Sequence, residues 1–435
     1  MNAKINTERR VTPAKGWLAL SPVIVFLLLY VAVSVILNDF YKMPIAVALA
    51  VASIWAVVIY RGQPLAARIE TFSRAAGHSN ILYMICVFIL AGAFATVAKE
   101  IGAVDATVSL TLRICPPQFV VPTLFFAACF ISLSVGTSVG TVVALTPLAV
   151  EIAQTVDGSV AFYVAVVLGG AFFGDNLSFI SDTTIAATRS QGCSMSDKFK
   201  ANLWIALPAA IVTIVIYMVM SKDSPAIELT NDCNPWLVLP YLVVLATAIA
   251  GINVTVVLTL GILSALVMGL INGYSIMDMA GYAGAGIDGM GDLIIITLLA
   301  AGMLGIIKAA GGIQFLLQGL SSRISGKRGA QAILAMLVGL VNLCTANNTV
   351  AIITVGGIAR DIAERYGIDP RKSASLLDSA SCVVQCLIPY GAQTLLATSL
   401  AGISPASPFP YLYYAWALAA MITLSIIFLF PTTGD

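Results

Sequence analysis

The stretch Gly170–Thr188, G-A-F-F-G-D-N-L-S-F-I-S-D-T-T-I-A-A-T, sets two carboxylates, Asp175 and Asp182, among Asn176, Ser178, Ser181, Thr183 and Thr184 in sequence that is otherwise apolar. A charged side chain at the centre of a bilayer costs about 3 kcal/mol on insertion scales, so an acid kept there is expected to work rather than to pack. The two acids are seven residues apart. On a continuous helix that spacing puts them on one face about 10 Å apart, too far to hold one ion jointly. Either the backbone unwinds and brings them together, or they act separately. Asp175 is the expected carrier of a cation and a proton; Asp182 is a second ligand, a gate, or a cap for the helix that Thr183 and Thr184 begin.

The surroundings are those of a membrane protein. Hydrophobic residues make up 59% of the 435 and charged ones 10%, where a soluble domain carries about 25% charged residues. After a basic start at Lys4, Arg9, Arg10 and Lys15, the chain is apolar from Trp17 to Leu37, long enough to span and too long for a secretory signal. Further apolar segments follow on both sides of a polar linker. The resulting division is a cytoplasmic tail (1–16), a first transmembrane part (17–220), an external linker (221–235), a second transmembrane part (236–430) and a C-terminal tail (431–435).

The two parts share one register. Ala91-Gly92 matches Ala301-Gly302, Gly102 matches Gly312, Ile152-Ala153 matches Ile362-Ala363, Thr184 matches Thr394, and Gly192 matches Gly402, all 210 residues apart. Such repeats are common in secondary transporters, whose sites lie between the halves. Basic residues at the N-terminus and at Arg61, Arg68 and Arg74, read as a loop, belong in the cytoplasm, and the linker with Asp223, Glu228 and Asp232 belongs outside. The second half then starts from the opposite side, which makes the repeats inverted. The expected fold is an all-α polytopic membrane protein of two inverted structural repeats, each about five transmembrane helices plus a re-entrant hairpin and a broken helix.

The breaks carry the remaining polar groups. In S-L-S-V-G-T-S-V-G-T, Ser132, Ser134, Thr137 and Ser138 stand beside Gly136 and Gly140; 210 residues on, Asn347, Asn348 and Thr349 form the matching tip. Freed carbonyls and hydroxyl oxygens there are hard ligands, suited to sodium held by Asp175, Thr137 and Ser138. Such small polar residues also serve to pack helices closely. Gly174 is expected to let its helix end just before Asp175. Gln385 occupies the position matching Asp175, so the charge is confined to the first half, and Asp378 lies seven residues before it. The second-half set, Asn347, Asn348, Thr349, Asp378 and Gln385, is a candidate for ion or solute binding.

G-T-S-V-G-T (136–141) and G-D-N-L-S-F-I-S-D-T-T (174–184) resemble signature segments of the NhaC-type sodium/proton antiporters of the ion transporter superfamily. The resemblance implies sodium/proton exchange, an inverted-repeat fold with hairpins, and a homodimer in the cell inner (plasma) membrane. It departs at Asn176, where the family often has lysine after G-D, so the charge beside Asp175 differs. Some relatives exchange organic acids, and the alternative is a sodium- or proton-coupled carrier or exchanger of a small carboxylate or amino acid.

Other classes find little material. His78 is the only histidine, the eight cysteines lack paired metal spacing, and there is no phosphate loop, which argues against an enzyme. No filter sequence favours a channel, and no basic run would track nucleic acid. Beyond lipid, the expected partners are the transported sodium and protons, with no cofactor.

Overall fold

The structure, a computed structural model, describes residues 12–36, 44–178, 181–221, 234–250, 252–321 and 324–430. Both tails for most of their length, the acidic linker residues, and Phe179-Ile180 lie outside the described residues, as does the side chain of Ser134.

Every regular element among the described residues is helical. The first half contains α1 (Pro13–Ile36), α2 (Ile45–Ile59), α3 (Leu65–Ala76), α4 (Ser79–Glu100), α5 (Ala103–Ile114), α6 (Pro117–Val135), α7 (Ser138–Thr155), α8 (Val160–Leu177), α9 (Asp182–Gln191) and α10 (Met195–Met220). After a 3-10 turn at Pro235–Val238 come α11 (Leu239–Ile249), α12 (Val254–Ile271), α13 (Ile276–Asp288), α14 (Gly291–Ala309), α15 (Gly312–Ser321), α16 (Gly326–Thr345), α17 (Asn348–Tyr366), α18 (Pro370–Leu387), α19 (Ala392–Ala401) and α20 (Tyr413–Ile427). Nine helical segments among the described residues are long and apolar enough to cross a bilayer. The outside is correspondingly greasy, with Trp204, Val219 and Met277 at least 65% exposed. Helices suit this setting because each satisfies its own backbone hydrogen bonds, which lipid cannot do.

Element boundaries keep the offset of 210. The starts of α7 and α17, of α8 and α18, and of α9 and α19 fall at 138 and 348, 160 and 370, and 182 and 392. Left-handed caps recur at Gly136 and Ala346 and at Gly192 and Gly402. Packing is reciprocal as well. A Cβ added at Gly92 of α4 would lie 2.2 Å from the Gly286 carbonyl of α13, and one at Gly302 of α14 would strike the Phe72 ring of α3. Gly305 likewise faces Ala75, so this small-residue face is used within the chain. The basic segment with Arg68 and Arg74 is therefore not a loop: most of it is α3, and the Arg68 guanidinium donates to the carbonyls of Gln63, Val57 and Val58.

A helical hairpin occurs in each half. Residues 125–128 of α6 lie beside Gly170 and residues 132–133 beside Gly174, while the Ser178 hydroxyl donates to the Leu133 carbonyl at 3.1 Å. α6 thus runs parallel to α8. α7 begins at Ser138 beside Asp175 and ends one short turn before α8 begins, so it runs the other way. The tip is Gly136-Thr137, where Gly136 takes φ +72°, a conformation that costs glycine little. In the second half, Asn342 and Tyr390 bond across to Ser381 and Leu343, and α16, α17 and α18 repeat the pattern around Ala346-Asn347. Gly174 does not end its helix: α8 continues to Leu177. Its missing Cβ instead admits α6, since a Cβ there would lie 2.3 Å from that of Ser132.

Candidate ion site

The break between α8 and α9 aims side chains inward. Ser178 and Ser181 both have extended backbone, ψ 142° and 140°, so the helical path is broken at each of these two residues. Ser181 holds the N-cap position of α9 without capping it. Its hydroxyl donates instead to Asp175 Oδ1 at 2.7 Å, and lies 2.7 Å from Thr183 Oγ1.

Asp175 is buried, and its contacts come from both halves. Ser138, the first residue of α7, donates to Oδ2 at 3.1 Å; Asn348, the first residue of α17, donates to the same oxygen at 3.5 Å. Three helix N-termini thus supply the groups around one carboxylate, and N-terminal dipoles favour negative charge. The chain of bonds continues across the halves. Gln393 of α19 donates to the Ser138 hydroxyl at 3.0 Å, and Gln385 donates to Gln393 Oε1 and to the Ala346 carbonyl, each at 3.0 Å. Among the described residues the ion pairs are Glu70–Arg74, Lys198–Asp378, Arg360–Glu364 and Asp369–Arg371, and Asp175 is in none of them.

A second polar centre lies behind the first. Lys198 of α10 and Asp378 of α18 form an ion pair that is almost completely buried, 1% and 0% exposed. The same ammonium donates to the Asn176 carbonyl at 2.6 Å and to Thr184 Oγ1 at 2.7 Å. Asn202 bonds both Asn176 and Asp378, and Ser379 donates to the side chains of Asn176 and Asn202.

The expected residues therefore sort by position. Asp175, Ser138, Thr183 and Asn348 come together, and Gln385 joins through Gln393. Thr137 stands at the N-cap of α7 with no side-chain bond to the carboxylate. Asn347 caps α17 by accepting from Val350 N at 3.0 Å, and the Thr349 amide donates to Asn348 Oδ1. Ser178 ties the break to α6 rather than facing the acid. Asp182 is exposed in the first turn of α9. It is not brought to Asp175, because α8 ends at Leu177 and α9 begins at Asp182, so the two acids do not share one helix face. Asn176 and Asp378 belong to the Lys198 centre. Sequence reading missed Lys198 and Asn202, and placed Gln393 in the second-half break without giving it a site role; the one available sign for the first two was Lys198 opening a long apolar helix beside polar Asn202.

A two-part helical membrane protein with broken helices around an uncompensated acid is the architecture of a secondary transporter. The profile described as the Na+/H+ antiporter family matches residues 9–222 and 226–431, and the chain belongs to that family. The malate-2H(+)/Na(+)-lactate antiporter of Bacillus subtilis strain 168 is 22% identical over 446 aligned positions, covering 93% of each chain. The Na(+)/H(+) antiporter NhaC of the same organism is 24% identical over 388 positions, covering 81% of this chain and 84% of that one. The arginine/ornithine antiporter ArcD of Halobacterium salinarum is 20% identical over 384, covering 80% and 79%.

Proposed function

We propose that this protein exchanges sodium for protons across a membrane and that Asp175 is the site the two cations share. The observation that carries this reading is the contrast between the two buried acids among the described residues. Asp378 has a lysine, whereas Asp175 has two hydroxyls and an amide and no cation. A buried carboxylate without a counter-charge costs several kcal/mol and is neutralised by whatever positive species enters. Hydroxyl oxygens of Ser138 and Ser181 beside it, and of Thr183 next to Ser181, are hard ligands of the kind sodium prefers. Sodium and proton then exclude one another, and exclusion at a site open to alternate sides is exchange.

The rest of the reading draws support from the family resemblance and the charge pattern. The hairpins enter and leave on one side, the halves are inverted repeats, the N-terminus is cytoplasmic, and two copies associate in the cell membrane. A second reading, exchange of a small carboxylate or amino acid coupled to sodium or protons, draws on the cargo in the names of the malate/lactate and arginine/ornithine relatives. In that case the Asn348 and Gln393 amides, where the halves meet beside Asp175, would receive the solute.

Purified protein in liposomes loaded with a pH-sensitive dye separates the two. A sodium pulse without organic solute moves protons through the wild type and not through Asp175→Asn. Proton movement that needs malate, lactate or an amino acid would transfer the assignment to the second reading.

A further inference from the structure

The Lys198–Asp378 pair is not used by the exchange described above, and its geometry gives it a task. An ammonium has three donors. Those of Lys198 go to Asp378, to the Asn176 carbonyl and to Thr184 Oγ1, so this arrangement leaves none for Asp175. The three bonds join α10 to three other elements: α18 through Asp378, the last turn of α8 through Asn176, and the first turn of α9 through Thr184. Asn176 is the residue next to Asp175, and a helix leaves its last carbonyls without internal partners. Asn202 holds the same carbonyl at 2.9 Å, so the end of α8 is secured twice.

The two centres are electrostatically one neighbourhood. Asn176, whose carbonyl Lys198 and Asn202 hold, follows Asp175 directly in the chain, and the Cys382 thiol lies 3.9 Å from Asp378 Oδ1. Two acids and one base share a buried space, with a net charge of minus one when all are ionised. If Asp378 lacked its lysine, two carboxylates would compete for incoming cations. If Lys198 lacked its acid, a fixed positive charge would stand where sodium must bind.

We propose that Lys198 is a positioning residue for exchange: by cancelling the charge of Asp378, it leaves Asp175 as the one carboxylate of this centre open to sodium and protons. The proposal rests on the reading of Asp175 as the shared site. It fixes the charge available for exchange at one negative unit, and it makes the sign of the pair, rather than its bonds, what the reaction requires.

The test is sodium binding to detergent-purified full-length protein at alkaline pH, read as sodium-dependent thermal stabilisation against a choline control, together with exchange in liposomes. Asp378→Asn leaves the ammonium uncompensated, and the half-saturating sodium concentration rises at least about tenfold. Lys198→Gln leaves two acids, and the value falls below that of wild type. Lys198→Gln/Asp378→Asn, which removes both charges of the pair and so leaves no new uncompensated one to disrupt folding, returns to within about threefold of wild type and exchanges. Opposite shifts with recovery in the double variant are a charge signature. A folded double variant that binds sodium no better than Asp378→Asn, or single variants that shift the same way, would overturn the proposal. Failure of the wild type itself to bind sodium would instead overturn the reading of Asp175, and this inference with it.

Discussion

At the scale of residues, the difference between Asp175 and Asp182 is one of company. Both are acids in an apolar setting, but one is enclosed by groups from three helices and the other is exposed at the start of α9. Asp182→Asn is therefore expected to keep exchange and to lose only the favourable contact with the helix N-terminus, about 0.3–1 kcal/mol. Measured half-saturation for sodium should stay within about threefold of wild type, and a loss of exchange in a folded Asp182→Asn protein would place the carrier wrongly. Asp175, Ser138 and Asn348 were legible in sequence because polar groups are rare and costly in such segments. Lys198 was not, since S-M-S-D-K-F-K reads as an exposed basic turn and only the packing of α8, α9 and α18 against α10 buries its ammonium. The Asn176 carbonyl takes a hydrogen bond from the Lys198 ammonium, 22 residues farther along the chain.

At the scale of elements, the glycines show which helices must touch. Gly174→Ala would drive a methyl into Ser132 Cβ and the Leu133 amide, 2.3 and 2.4 Å away, and would push α6 off α8 one residue before the acid. Overpacking of this kind costs about 1–3 kcal/mol. A lower unfolding temperature in detergent and weakened sodium binding are the expected outcomes. Gly281→Ala is the control: a Cβ there meets nothing within 4 Å, and replacing glycine by alanine inside a helix gains about 0.5–1 kcal/mol. Equal unfolding temperatures for the two variants would refute this account of the α6–α8 contact. The hairpins and broken helices were legible from Gly, Ser and Asn interrupting apolar runs. α3 and α13 were overlooked because short, mixed or glycine-rich helices lack the long apolar run that marks a span; Leu65, Ile69 and Phe72 do keep a helical spacing, but that alone does not reveal that Phe72 fills the space over Gly302.

At the scale of the whole molecule, the halves are bound by exchange of parts. α3 packs on α14 and α13 on α4; α7 meets α19 through Ser138 and Gln393, while α17 meets α9 through Gly356 and Gln191. The constant offset was visible in sequence, whereas this reciprocity was not, because matching residues say that halves are alike and nothing about how they meet. Asp175 lies at the seam, held from one side by Ser181 and from the other by Asn348. Removing the cross-half bond with Gln393→Ala should weaken sodium binding by about 0.5–1.5 kcal/mol, roughly two- to tenfold, although Gln393 does not touch the acid. An unchanged sodium affinity in that variant would separate the second half from the site. The central claim, that one carboxylate serves both ions, is tested most directly by the sodium dependence of exchange in liposomes across a pH series. A shared site predicts that the half-saturating sodium concentration climbs as pH falls, approaching about tenfold per pH unit by mass action, with the maximum rate unchanged. A half-saturation that stays constant while the maximum rate falls would mean that sodium and protons bind at different places, and would contradict the account.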